Sequence, residues 1–188
     1  MKLAGRRMCA YSGSDSSSAE ISLEDAVVPE SDRLGPEGAG FPCLMATFQH
    51  ERLYLAALGY ATAERCLEEA LAYARQREAF GRTIGKLQVI RHMLADMASR
   101  TLAAKALTYQ VAARLQAGTS RPAEVAAAKN VAADAAISVS HDAVQILGGM
   151  GYMRETTVER LSRDARLLSI GGGTREVMNE LIARALEP

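Results

Sequence analysis

Two long stretches of this chain, 43–121 and 123–187, contain no proline, and both are rich in alanine. Proline inside a helix removes a backbone donor and clashes with the preceding turn, at a cost of about 3 kcal/mol or more. Alanine is the best intrinsic helix former. Aromatic residues make up only 5% of the sequence and tryptophan is absent, so the β-branched and aromatic surface that a sheet sandwich packs is scarce. This composition favours long helices over a β-sandwich, and the expected fold class is all-α.

The pattern divides the helices as follows. The first runs over 41–77, with Leu44, Phe48, Leu55, Leu58, Ala61 and Leu67 roughly on one face. The second runs over 87–116, where Ile90, Met93, Leu94 and Met97 have the spacing of a buried stripe, and Gly118 stops it. Pro122 suits the first turn of a third helix, with Glu124 near the positive end of its dipole. That helix extends to 147, where Gly148-Gly149-Met150-Gly151 breaks it. Shorter helices follow over 158–168 and 176–186. Long helices with short joints form an antiparallel helical bundle.

Residues 1–39 are of another kind. Tyr11 to Ser18 form a polar loop, and Ile21 and Leu23 alternate with polar neighbours until Val27-Val28-Pro29 ends the run, which reads as a short strand. A strand and a loop cannot build a core of their own. We therefore expect 1–39 to be the remnant of a β domain and its linker, and 40–188 to be the bundle.

Formal net charge is zero over 188 residues, so no basic field speaks for nucleic acid or an anionic membrane as partner. No apolar run approaches the roughly 20 residues of a membrane span. The three cysteines (Cys9, Cys43, Cys66) lack CxxC spacing and the three histidines lie far apart, so no metal site is expected. Reducing, cytoplasmic surroundings fit this cysteine usage best.

Four clusters have both a chemical and a structural reading. Arg77-Glu78-Ala79-Phe80-Gly81 with Gln88 would let a cation and an aromatic hold a phosphate and stack a base, or it ends a helix with favourable cations and a glycine. Gln145-Ile146-Leu147-Gly148-Gly149-Met150-Gly151 admits a phosphate to backbone amides, or it is a turn. It follows no strand, so it is not a Rossmann fingerprint. In Gly171-Gly172-Gly173-Thr174-Arg175-Glu176, Thr174 is a reasonable N-cap with Glu176 in the first turn. A turn alone needs one glycine, and three point to something lying against the main chain. Glu51, in His50-Glu51-Arg52, is a carboxylate on a solvated helix face or a catalytic one.

In this order, the clusters resemble the acyl-CoA dehydrogenase family. Glu51-Arg52-Leu53, Arg77-Glu78-Ala79-Phe80-Gly81 with Gln88, Gln145 to Tyr152, Arg163-Asp164-Ala165-Arg166 and Ile170 to Val177 carry the resemblance. Val28-Pro29, Leu34-Gly35 and Gly40-Phe41 match the family's passage from β domain to C-terminal bundle. The resemblance implies a homodimer or homotetramer that shares FAD across a subunit interface. It assigns Arg77 and Phe80 to the pyrophosphate and adenine end of FAD, Gln88 to the same FAD, and Gln145, Gly148 and Gly149 to FAD of the partner subunit. Thr174 and Glu176 match further FAD contacts.

The implied reaction is α,β-dehydrogenation of an acyl-CoA thioester, with electrons passed to an electron-transfer flavoprotein. In many members the base is a glutamate directly before Gly-Thr, where this chain has Gly172. The isovaleryl-CoA and long-chain branches instead place it in the first bundle helix before an arginine, which fits Glu51-Arg52. Gly172 would then offer its N–H to the thioester carbonyl, with Arg52 and Gly172 at the substrate. The family's N-terminal helical domain and most of its β domain have no counterpart here, so a fragment is expected, with doubtful turnover on its own. Two other readings keep the fold: a non-catalytic oligomerisation bundle, and an acyl-CoA oxidase or flavin monooxygenase.

Overall fold

The structure is a computed structural model that describes residues 2–6, 18–22 and 24–187. The chain divides into two compact units, Met1–Thr47 and Phe48–Pro188. In the first, β1 (Lys2–Arg6) pairs antiparallel with β2 (Ser18–Ser22), Lys2 opposite Ser22 and Arg6 opposite Ser18. The expected strand thus ends at Ser22 rather than near Pro29, and 24–29 carry no regular structure. Leu23, Cys9 and most of the expected polar loop lie outside the described residues.

Helix α1 spans Gly40–Gln76. A two-residue hairpin, β3 (Glu78–Ala79) and β4 (Arg82–Thr83), joins it to α2 (Gln88–Gln116). Gly118, at φ +69°, closes α2, as expected of a glycine that follows a helix end. Helix α3 spans Pro122–Leu147, with Pro122 in its first turn and the Glu124 carboxylate accepting the Arg121 N–H. After a 3-10 turn over Gly148–Tyr152 come α4 (Thr157–Ala165), a second 3-10 turn over Arg166–Ser169, and α5 (Arg175–Arg184). The expected helix over 158–168 is therefore α4 plus that turn.

The buried face of α1 matches the expected one in part: Leu55 and Leu67 pack against buried core residues, whereas Leu44 and Leu58 are 48% and 43% exposed and Ala61 is exposed too. The buried stripe is instead Ala56, Gly59, Ala63, Cys66, Ala70 and Ala74. Small side chains let two helix backbones approach closely, and the distance between helix axes follows the side chains at the contact. A Cβ on Gly59 would stand 2.8 Å from the Ala132 carbonyl oxygen of α3, so no larger residue fits there. The expected stripe on α2 holds: Met97 is fully buried, and Ile90, Met93 and Leu94 pack against the same core. Helix α3 supplies most of the centre, including Val125, Ala128, Ala132, Ala135, Val139, Ala143 and Ile146.

Candidate active site

The triple glycine runs between the second 3-10 turn and α5. Gly172 has φ +66° and Gly173 φ +106°, a region that favours glycine over residues with a Cβ. Backbone geometry therefore calls for two of the three glycines, which corrects the expectation that the turn needs one. Gly171 has no such requirement, since a Cβ there would come no nearer than 3.6 Å to another atom.

Two buried cations hold this segment by its carbonyls. Arg52, 5% exposed on α1, donates its Nε–H to the Gly172 oxygen at 2.9 Å. Lys129, 1% exposed on α3, donates from Nζ to the Gly173 oxygen. The Arg52 guanidinium also lies 5.3 Å from the centre of the Phe48 ring, within cation–π range. The neighbouring Glu51 is exposed. A Cβ on Gly172 would stand 3.7 Å from Glu51 Oε1, 3.6 Å from Arg52 Cγ and 2.7 Å from Leu55 Cδ1. The fold thus brings Glu51, Arg52 and Gly172 together, and adds Lys129.

These charges act on one another. Burial draws the Arg52 guanidinium below its ordinary pKa, and the Glu51 charge opposes this. Burial lowers Lys129 as well, the Arg52 charge adds to that, and Glu51 again opposes. One carboxylate thus offsets two cations removed from water, the condition under which such charges are tolerated.

A second group of expected site residues lies elsewhere. Phe80 occupies the hairpin tip at φ +54°, followed by Gly81 at φ +75°. Positive φ at both central positions is the turn that a two-residue hairpin favours. A bulky side chain is rare there, and strain of this kind clusters at functional sites. Phe80 is nonetheless 90% exposed, so packing does not explain it. Arg77 and Gln88 flank it and are exposed, as are Gln145, Gly148 and Gly149 at the end of α3. Gly148 takes φ +60° as the C-cap of α3, whereas Gly149 does not take positive φ and a Cβ there would meet nothing within 4 Å. Neither backbone nor packing requires a glycine at 149.

The two groups sit at opposite ends of the bundle. Arg52 and Lys129 grip the same loop, and Gly59 meets Ala132, whereas Ala74, Ile84, Ile146 and Leu147 share the core at the other end. Along α1 alone, Arg52 and Arg77 are about 37 Å apart at about 1.5 Å per residue.

The start of α5 lies beside the first group. Thr174 Oγ1 accepts the Val177 N–H at 3.5 Å, the expected N-cap. Hydrogen bonds from its own backbone N–H and from Thr174 hold the Glu176 carboxyl below its usual range. Both residues line a cavity of about 350 Å³ with Asp134, Ile137, Arg166 and Ser169. The Cys66 thiol is pushed up to about 12 by burial, so it is no nucleophile. Among the described residues, no group of three or more His, Cys, Asp or Glu could hold a metal ion, and no helix is long and apolar enough to cross a membrane.

Sequence reasoning missed Lys129. Its signal was a single charge inside the apolar run Val125-Ala126-Ala127-Ala128-Lys129, at a position that helical spacing puts on the buried face.

Comparison with known proteins identifies the family of this fold. A family profile described as "Acyl-CoA dehydrogenase, C-terminal domain" matches residues 38–187. The chain is 43% identical over 171 residues to an acyl-CoA dehydrogenase of Bacillus subtilis, covering 91% of this chain and 45% of that protein. It superposes with TM-score 0.93 and 46% identity on a crystal structure of a probable acyl-CoA dehydrogenase from Mycobacterium abscessus, covering 99% of this chain and 49% of the other. Butyryl-CoA dehydrogenase from Megasphaera elsdenii gives TM-score 0.93 at 38% identity, with 97% and 48% covered. The chain thus spans about half the length of the relatives it matches.

Proposed function

This chain belongs to the acyl-CoA dehydrogenase family, and we propose that it is the C-terminal helical part of an FAD-dependent acyl-CoA dehydrogenase whose base is Glu51. The observation that carries this reading is the 3.7 Å between Glu51 Oε1 and the Cβ position of Gly172, the point from which many relatives extend their glutamate. Glu51 on α1 addresses the same place from the other side. This also supports the branch in which the base precedes an arginine, as in the isovaleryl-CoA and long-chain enzymes.

The residues present fit FAD. Phe80 is exposed and strained, Arg77 is an exposed cation, and Gly149 leaves open space that neither fold nor packing requires. Arg77, Phe80, Gln88, Gln145, Gly148 and Gly149 would hold the adenine and phosphate end, and Thr174 and Glu176 the other. The two groups lie at opposite ends of the bundle. We infer that they serve different FAD molecules, each shared with a second copy of this chain in a homodimer or homotetramer.

When bound, FAD supplies an acceptor for the β-hydrogen and its electron pair. The Glu51 carboxylate takes the α-proton as the Cα–H bond breaks, and that electron pair forms the new double bond. The Gly172 N–H donates to the thioester carbonyl oxygen, where negative charge develops. Arg52 acts at the substrate through Gly172, whose carbonyl it fixes. An electron-transfer flavoprotein is the proposed recipient of the electrons, and free thiols at Cys43 and Cys66 fit cytoplasmic surroundings.

Glu51→Gln in the flavin-loaded enzyme containing this chain tests the reading. Loss of acyl-CoA-dependent dye reduction with retained yellow colour supports it, and retained reduction refutes it. An enzyme that consumes oxygen instead of reducing an electron-transfer flavoprotein would be an oxidase on the same fold.

A further inference from the structure

We propose that Lys129 is a positioning residue that, with Arg52, grips the consecutive carbonyls of Gly173 and Gly172 and so holds the Gly172 backbone beside the Glu51 carboxylate. The inference rests on the reading of Glu51 as base, and its own observations are separate.

Lys129 is the largest fully buried side chain of the bundle. Removing an ammonium from water without a hydrogen-bonded counter-charge is costly, and a methionine of similar length would fill the same space in an Ala-rich helix without that cost. Packing therefore gives no reason for a lysine. Its partner gives one. The loop over 171–173 has no side chains, so interdigitation cannot anchor it, and glycine's backbone does not by itself select one conformation. What sets its place is what holds its carbonyls. Arg52 on α1 takes one and Lys129 on α3 takes the next. The loop is thereby tied to two different helices of the rigid core, the kind of support a reacting geometry needs.

The like charges of Arg52 and Lys129 repel, and the Glu51 carboxylate offsets both. Glu51, Arg52 and Lys129 thus form one unit with a surplus positive charge beside Gly172, suited to a reacting group that gains negative charge.

The test is NMR of the full chain. In the wild type, labelled Lys129 Nζ is expected to exchange protons slowly and to show coupling through the hydrogen bond to the Gly173 carbonyl carbon. Fast exchange without coupling overturns the proposal and needs no variant. In Lys129→Met, the Gly173 carbonyl signal should move upfield, the amides of Gly172 to Thr174 should broaden, and the Glu51 carboxyl signal should shift, while that of Glu180, which pairs with Arg184 on α5, stays. Lys129→Arg should restore the loop and Glu51 signals. Unchanged loop and Glu51 signals in a folded Lys129→Met chain overturn the proposal. None of these readouts depends on turnover, so a failed clamp leaves the role of Glu51 standing, and active Glu51→Gln enzyme leaves the clamp standing.

Discussion

Glu51 Oε1 lies 3.7 Å from the point where a Cβ on Gly172 would stand, although the two residues belong to elements far apart in the chain. The same point is 2.7 Å from Leu55 Cδ1, so Gly172 is confined by its φ and by its neighbour. Placing an L-residue in the left-handed region costs about 1–2 kcal/mol, and Leu55 must also turn aside. Gly172→Ala should therefore lower the melting temperature by roughly 3–8 °C, at about 2–4 °C per kcal/mol for a chain of this size. Differential scanning calorimetry measures it, and an unchanged midpoint would contradict the confinement.

Gly149 is the counter-case. It has neither positive φ nor a close neighbour, so Gly149→Ala should leave the melting temperature within about 1–2 °C of wild type, as for other surface changes. If the open space admits FAD, the added methyl should weaken FAD binding in titrations followed by flavin fluorescence. A stable variant with unaltered FAD affinity would remove Gly149 from the cofactor site.

Arg52 donates to a carbonyl that lacks any side chain to steer it. Arg52→Met keeps most of the volume and loses a charged hydrogen bond of about 1.5–3 kcal/mol. Part of this is recovered because a buried cation disappears. The expected result is a melting temperature lower by a few degrees and faster proteolysis within 170–174. A loop as resistant as wild type would show that Lys129 alone suffices.

Asp164 in α4 has a buried Oδ1 without a hydrogen-bond partner among the described residues. Burial raises its carboxyl above its ordinary pKa of 3.8, with Arg163 and Arg160 opposing and Glu159 adding to the rise. An acid raised in the folded state binds more protons there than in the unfolded chain. Stability is thus lost as pH climbs from 3.8 through the folded value, and the penalty persists above it. Asp164→Asn should equal or exceed wild type in denaturant midpoint at neutral pH, and the gain should vanish below pH 3.8. A gain that grows as pH falls would reverse the assignment.

The sequence made some of this fold legible and concealed the rest. Helices α2 and α3 were readable because Met97 and its neighbours repeat at helical spacing and Pro122, Gly118 and Gly148 mark their ends. The buried face of α1 was readable only at Leu55 and Leu67, because Ala56, Gly59, Ala63 and Cys66, which form most of it, are small. Hydropathy drew attention to the leucines, while close approach to Ala132 decided the packing. The meeting of Glu51 and Gly172 was available only through the family resemblance, since nothing local pairs α1 with a glycine loop. Lys129 stayed hidden because its partner is a backbone carbonyl, which leaves no mark in composition.

Glu51 is proposed to remove the α-proton. Anaerobic mixing of acyl-CoA with flavin-loaded Glu51→Gln enzyme tests it most directly, read as bleaching of the oxidised flavin band. The flavin is expected to stay oxidised and yellow while substrate still binds. Bleaching at the wild-type rate would contradict it and send the search for the base to another residue.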